Sequence, residues 1–428
     1  MSTNVIGFRG VESSYAWRRL AAALALMSIG SAGMYSMSVA LPPLQAEFGV
    51  VRADASLPYT LTMIGFGIGC IVMGRFADRF GAMVTVLVGA LGLGTGYIAA
   101  GSAGSLWQFS LAHGVLIGFL GTASTFAPLV ADISLWFNRR RGIAVAIVMS
   151  GNFVAGIWPP VMQHFFDIIG WRNTFIGFGV FCLLTVPPLA LVLRGRPPAV
   201  APDTTGAAVP GLGFIQESTR ELGLSPGALQ VLLCLSGVSC CVAMSMPQVH
   251  LVAYCGDLGY ARARGAEMLA LMLGFGVLSR LASGWISDHI GGVRTLLLGA
   301  VLQALALALF LPYQGLAALY VLSALFGLFQ GGLVPSYALI VRRYFSLREV
   351  GVRTGMVFTA TCFGMALGGW MAGIIFDATG SYRAAFINGI AWNMITIAIA
   401  LFLLHRASRA SGSGGTRVTQ LATVDPIR

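Results

Sequence analysis

The segment GFGVLSRLASGWISDHIG, residues 274–291, sets an obligate cation, Arg280, in an apolar, glycine-rich run with no acid beside it on the same run. A guanidinium presents a planar fork of donors that matches a carboxylate in a bidentate way, so the chemistry open to Arg280 is anion recognition. Other chemistry finds little support. There is no recognisable nucleophile–base pair, metal cluster or phosphate loop, which argues against an enzyme, a cofactor or a bound metal. The seven cysteines, Cys70, Cys182, Cys234, Cys240, Cys241, Cys255 and Cys362, fall mostly inside apolar runs without metal-ligand spacing, and read as small packing residues. Histidine titrates nearest neutrality, which makes His250 and His113 the candidates for moving a proton, with packing as the alternative at each.

The elements that must hold Arg280 are membrane spans. Only 10% of the 428 residues are charged and 57% are hydrophobic, against about 25% charged in a soluble domain. Spans need roughly 20 apolar residues each, and twelve such runs follow one another: 18–44, 57–77, 83–101, 106–136, 142–166, 172–194, 228–252, 265–287, 294–312, 315–341, 351–376 and 382–405. The glycines inside them suit close helix packing in lipid. The expected class is an all-α membrane protein with twelve transmembrane helices. Every basic side chain is arginine, and the arginines take sides. Arg18, Arg19, Arg75, Arg79, Arg139, Arg140 and Arg141 precede helix 1 or lie in the loops after helices 2 and 4. Arg342, Arg343, Arg348 and Arg406 extend the same side, whereas the opposite side has only Arg52, Arg172, Arg262, Arg264 and Arg383. By the positive-inside rule the rich side is cytoplasmic, with both termini inside a cell inner membrane. The net charge of +11 is thus a topology signal and not a nucleic-acid footprint. Residues 1–17 and 406–428 read as cytoplasmic tails, and the Pro/Gly/Thr-rich 195–227 as a cytoplasmic linker in which FIQESTREL forms a short amphipathic helix.

The two halves, 18–194 and 228–405, repeat each other. At a shift of 210 residues Glu47, Gly49 and Arg52 match Asp257, Gly259 and Arg262, and Gly74, Asp78 and Gly81 match Gly284, Asp288 and Gly291. Within one residue of that shift, DIIGWRNTF answers DATGSYRAAF, so that Asp167, Gly170, Arg172 and Phe175 match Asp377, Gly380, Arg383 and Phe386. Two pseudo-symmetric six-helix bundles around a central cavity follow, able to rock about a midplane site. GRFADRFG after helix 2 resembles the GxxxDRxGR-type loop of the major facilitator superfamily, and GWISDHIGGVR is its degenerate second copy. The resemblance implies a cytoplasmic gate at Gly74, Asp78 and Arg79 and at Gly284 and Asp288. Asp132 near the inner end of helix 4 joins it as the expected partner of Arg79 or Arg75. Ala82 stands where the loop's last basic residue belongs.

A narrower resemblance rests on GMYSMSVALPPLQAEFGVVRADASLPYTL, on WFNRRRGIAVAIVMSGNFVAGIWPP and on VHLVAYCGDLG. These segments look like bacterial monocarboxylate and oxalate–formate type transporters, in which a helix-8 arginine binds the carboxylate. Helix 5 lacks the GPxxGG run of multidrug–proton antiporters. Helix 11 has no second cation past Arg353, as a dicarboxylate exchanger would want. The repeat partner of Arg280 is Cys70, unlike the paired arginines of nitrate carriers. Animal monocarboxylate carriers have a helix-1 lysine and an aspartate one turn before the arginine; here that turn holds Gly276.

Arg280 lies about 22 Å into helix 8 at 1.5 Å per residue, and its side chain tilts toward the helix N-terminus, at the midplane. A cation there costs roughly 2.5–3.5 kcal/mol even on an insertion scale, and no acid falls at that depth, so a substrate carboxylate is the expected counter-ion. Helical spacing adds Phe119, Thr122 and Phe126 in helix 4, Gln330 and Tyr337 in helix 10, and Thr359 and Cys362 in helix 11. Tyr35 and Asn152 are polar positions in helices 1 and 5. Packing is the alternative for each. The reading is a secondary active transporter moving a small organic monocarboxylate by alternating access, with proton symport, uniport and exchange left open. The partners are the acid, protons and the bilayer, and the chain is expected to act as a monomer without nucleic acid. An exchanger of another organic anion or a carrier of an amphipathic amino acid is the alternative.

Overall fold

Apolar residues build eleven continuous spans in the computed structural model, which describes residues 12–137, 140–195, 222–312, 315–346 and 349–418. One of them, Gly142–Arg194, has 53 residues. At 1.5 Å per residue it would run about 80 Å, far beyond a hydrocarbon core of roughly 30 Å. It breaks at Gly170, whose φ of 79° and ψ of 158° are open to glycine and strained for other residues. The spans are therefore twelve: α1 Ser14–Phe48, α2 Arg52–Phe80, α3 Ala82–Gly101, α4 Leu106–Trp136, α5 and α6 on either side of Gly170 within Gly142–Arg194, α7 Pro226–Asp257, α8 Arg262–Ile290, α9 Gly292–Leu309, α10 Leu316–Tyr344, α11 Val350–Thr379 and α12 Tyr382–Arg409. Twelve crossings return the chain to the face it started from. That face is called terminal below, and the opposite one distal.

The repeat is written into the backbone. Gly49, Gly81 and Gly170 and their matches Gly259, Gly291 and Gly380 all have positive φ, so glycine stands at matching helix ends of the two halves. Helix ends differ from expectation where capping extends them. Ser13 accepts a hydrogen bond from the Ala16 N–H at 3.3 Å and starts α1 at Ser14, four residues early. The last helix continues to Val418. The linker 196–221, including most of FIQESTREL, lies outside the described residues, as do residues 1–11 and 419–428.

Small residues let the helices approach. A Cβ on Gly65 of α2 would sit 2.1 Å from the carbonyl oxygen of Gly114 in α4, and one on Gly118 would sit 2.6 Å from that of Thr62. This contact falls where α4 is π-helical, over Ala112–Thr122. Wider turns of this kind often accompany functional sites. On the terminal face Arg19 of α1 and Asp132 of α4 form a buried bidentate pair, Nε to Oδ2 at 2.7 Å and Nη2 to Oδ1 at 2.6 Å. Arg19 also donates to the Gly195 carbonyl at 3.1 Å and lies over the Trp136 ring. The partner expected for Asp132, Arg75 or Arg79, is thus replaced by Arg19. Arg19 is buried in the α1–α4 contact, whereas Arg75 and Arg79, in the same bundle, are exposed at the end of α2.

Candidate functional site

A cavity of about 330 Å³ opens between the halves at mid-depth, and Arg280 is in its wall. Close helix crossings put it there. A Cβ on Gly331 of α10 would stand 2.4 Å from the Gly276 carbonyl, and one on Gly332 would stand 2.3 Å from Ser283 Cβ, so α10 lies directly on the α8 turns that flank Arg280. From α8 the guanidinium crosses to the other half. Its Nη1 donates to the Met149 carbonyl of α5 at 2.9 Å, and its Cζ lies 4.4 Å from the centroid of the Phe153 ring. Nε is buried without a partner in the protein. Among the described residues no carboxylate pairs with Arg280. A carbonyl and a ring face offset part of its desolvation while leaving its charge uncancelled.

Gly276 is what admits the ring. A Cβ there would be 3.2 Å from Phe153 Cδ1 and Cε1. Where the resemblance to animal monocarboxylate carriers would imply an aspartate, this protein has glycine, and the Phe153 ring packs against it.

Of the other residues singled out by spacing or polarity, Tyr35, Phe126, Asn152, Gln330, Thr359 and Cys362 share the cavity with Arg280. Tyr35 donates to Asn152 Oδ1 at 2.9 Å, which fixes both on the α1–α5 wall. Gln330 is 1% exposed, and neither its Oε1 nor its Nε2 has a protein partner. Phe119, Thr122 and Tyr337 are elsewhere. Phe119 packs in the α2–α4 contact, where its backbone lies against Gly65 and Gly69. Thr122 is spent on the Gly30 carbonyl at 2.8 Å. Tyr337 is buried within the second half, beside Ser236 at 2.9 Å and Cys240 at 3.3 Å. All three share a helix with cavity residues but face inward to their own bundle. The sequence pattern also passed over Met149, Phe153 and Tyr59, since residues of this kind in apolar helices give no periodic signal.

At the distal face a second constellation joins the halves. The Arg52 guanidinium at the start of α2 embraces both carboxylate oxygens of Asp257 at the end of α7, donates to Tyr382 Oη at 3.0 Å and to Gln45 Oε1 at 3.2 Å, and lies 4.1 Å from the Phe376 ring centroid. Asp377 of α11 caps α2, accepting from the Arg52 N–H at 2.9 Å and the Ala53 N–H at 2.7 Å. A carboxylate at a helix N-terminus is favoured by the orphan donors and the dipole. His250 belongs here, with Nδ1 2.9 Å from Tyr382 Oη and Nε2 2.8 Å from the Gly369 carbonyl. His113 does not. It stacks on Phe109 inside the first half, 3.4 Å from Thr62 Oγ1.

The expected gate residues stand apart. Asp78, Arg79, Gly284 and Asp288 are exposed and Gly74 half-exposed on the terminal face, and Asp78 and Asp288 have no ion-pair partner among the described residues. The ion pair between the halves lies at the distal face, and none joins them at the terminal face among the described residues.

The sequence model of the Major Facilitator Superfamily matches residues 21–316 and 268–425. The chain belongs to the major facilitator superfamily. It is therefore a multi-pass membrane transporter and not an enzyme, a secondary transporter with a small-molecule substrate. Its sequence resembles the monocarboxylate family. It is 29% identical to "Monocarboxylate transporter 11" of Mus musculus over 88% of this chain and 84% of that one. It is 28% identical to "Monocarboxylate transporter 13" of Rattus norvegicus over 82% and 79%, and 25% identical to the uncharacterised MFS-type transporter YcxA of Bacillus subtilis over 79% and 83%. A crystal structure of a bacterial homologue of the human lysosomal transporter Spinster, in an inward-facing conformation, has the same fold, with a TM-score of 0.65 at 16% identity over 93% of this chain and 96% of that one.

Proposed function

We propose that this transporter carries a small organic monocarboxylate, with Arg280 as the group that binds the carboxylate. The observation that carries the reading is the state of Arg280: a guanidinium in the wall of a cavity at mid-depth, steadied by a carbonyl and a ring, with no acid of its own. One uncancelled cation favours one carboxylate. The names of the relatives support the same class.

The terminal face, where the arginines concentrate, is the cytoplasmic one in this reading, and the chain sits in a cell inner membrane as a monomer. The cavity then faces the cytoplasm, the Arg52 constellation closes the outside, and Asp78, Arg79 and Asp288 meet their partners only when the halves rock the other way. His250 is the proton-coupling candidate with a route to the latch, through Tyr382 to Arg52; His113 has none. A thermal-shift screen of organic acids on the purified protein tests the substrate class, because a ligand that binds only the folded state raises its apparent stability. Carboxylates are expected to raise the melting temperature. Shifts from cations or neutral sugars, with none from carboxylates, would overturn the reading.

Gln330 sharpens it. A buried amide group without partners costs about 1–3 kcal/mol, which a cavity tolerates when a ligand supplies the hydrogen bonds. Gln330→Leu is therefore expected to raise the melting temperature of the unliganded protein while weakening substrate binding roughly two- to tenfold, the worth of a neutral hydrogen bond. Melting curves with and without substrate check the opposite signs. Stabilisation with unchanged binding would assign Gln330 to packing.

A further inference from the structure

The cavity walls say more about the substrate than its charge. We infer that the preferred substrate is an aryl monocarboxylate, its carboxylate on Arg280 and its ring in a compartment of thioethers and aromatic faces. The inference rests on the carboxylate reading above and goes beyond it to the organic body.

Five methionines line the one cavity. Met34, Met63 and Met149 come from the first half and Met244 and Met365 from the second. Aromatic side chains stand among them: Phe66 and Phe126 as an edge-to-face pair with centroids 5.4 Å apart, Tyr59 on α2, and Phe358 from across the cavity on α11. Leucine, the usual core residue, is missing from this wall among the described residues, and Ile71 and Val334 are the branched aliphatic side chains that line it. Thioether sulfur attracts aromatic ring edges, and aromatic faces and edges pair with a further ring beyond what area burial supplies. An unbranched methionine also adapts to either bundle position as the halves move. Tyr59 adds a buried hydroxyl with no partner in the protein, its ring 2.8 Å from where a Cβ on Gly369 would stand, so it closes the distal end of the compartment directly under the latch.

Size agrees. At roughly 30 Å³ per water, about 330 Å³ is the room of about eleven waters. Propionate, a three-carbon acid, has five heavy atoms and leaves much of that wetted beside apolar walls. A phenyl-substituted acid of about eleven heavy atoms fills it.

The test separates aromaticity from bulk and both from charge. Dissociation constants are measured on the purified full-length protein for propionate, 3-phenylpropionate, 3-cyclohexylpropionate and 3-phenylpropionamide. Plain area burial ranks the cyclohexyl acid at or above the phenyl acid. Sulfur–aromatic and ring–ring contacts reverse that order, and 3-phenylpropionate is expected to bind about three- to tenfold tighter than 3-cyclohexylpropionate. The volume-conserving double variant Met63→Leu/Met365→Leu is expected to shrink that preference while leaving the cyclohexyl acid's affinity within about twofold. Acids that bind with no phenyl preference, or propionate binding as tightly as 3-phenylpropionate, overturn the inference and leave the carboxylate reading standing. An amide that binds as well as its acid overturns the carboxylate reading and the inference with it.

Discussion

Arg280→Ala in proteoliposomes is expected to cut carboxylate uptake by roughly 30-fold to a few thousand-fold, the equivalent of the 2–5 kcal/mol lost when one partner of a desolvated charge pair is removed. Arg280→Lys is expected to recover little. The ammonium restores the charge but neither the fork nor the flat face that lies on Phe153, and loss of a charge-assisted hydrogen bond worth about 1.5–3 kcal/mol leaves the variant about 10- to 100-fold below wild type. A general role in stability does not predict that ranking. Arg280→Ala removes a partly desolvated cation and is expected to melt no lower than wild type without substrate, while losing the substrate-induced shift. The same geometry makes Gly276→Asp informative. A side chain at 276 enters the space of the Phe153 ring and supplies the acid that Arg280 lacks, so uptake is expected to fall although the arginine is intact. Carboxylate uptake that survives Arg280→Ala unchanged would rule out the clamp.

What the sequence disclosed and what it hid follow from how each feature is encoded. Twelve spans are legible because lipid demands unbroken apolar runs, and the break at Gly170 is legible because two spans cannot be one helix. The repeat is legible because three glycine pairs hold positive φ at matching helix ends. Arg280 stands out because a cation at that depth is improbable without a use. Tyr35 and Asn152 stand out as polar exceptions in apolar helices, and Gln330, Thr359 and Cys362 by helical spacing, and either rule is blind to direction. Thr122 satisfies the same rule while bonding the Gly30 carbonyl of its own bundle, and Tyr337 while packed beside Cys240. The rule is blind, too, to apolar residues with a task. Phe153 and the cavity methionines differ from their neighbours only in which way they face, and that is set by crossings such as Gly331 on Gly276 that no single helix encodes. Long-range pairs fail differently. Arg75 and Arg79 were the expected partners of Asp132, and the pairing with Arg19 instead depends on how α1 packs on α4.

The distal latch yields the other large effect, and its asymmetry explains why one substitution is enough. The repeat gives each half an arginine at the start of its second helix and an acid at the end of its first, so two crossed pairs are conceivable: Arg52 with Asp257, and Arg262 with Glu47. Only the first exists here. Glu47 is taken within its own half, accepting from the Arg172 guanidinium at 2.7 Å and the Trp171 indole at 2.6 Å, and Arg262 is exposed with no ion pair among the described residues. The distal face is thus held by Arg52, 9% exposed at its side chain, with Asp257, 36% exposed, and by the Asp377 cap. Arg52→Ala leaves the cap but removes the clasp. With Asp257 partly in water the loss is set at about 2 kcal/mol, a shift of roughly 30-fold toward the conformation open at the distal face. The protein carries its own reporters, because Cys70, Cys241 and Cys362 line the cavity. In a Cys255→Ser background, which removes the thiol of distal α7, a membrane-impermeant maleimide applied at the distal face is expected to label the cavity cysteines of Arg52→Ala about 30-fold faster than those of the parent. Asp257→Asn is expected to act in the same direction, and the exchange Arg52→Asp/Asp257→Arg to restore part of the protection. Unchanged labelling in both single variants would show that apolar contacts such as Gly369 on Tyr59 and Gly373 on Ala53 hold the face closed without the ion pair.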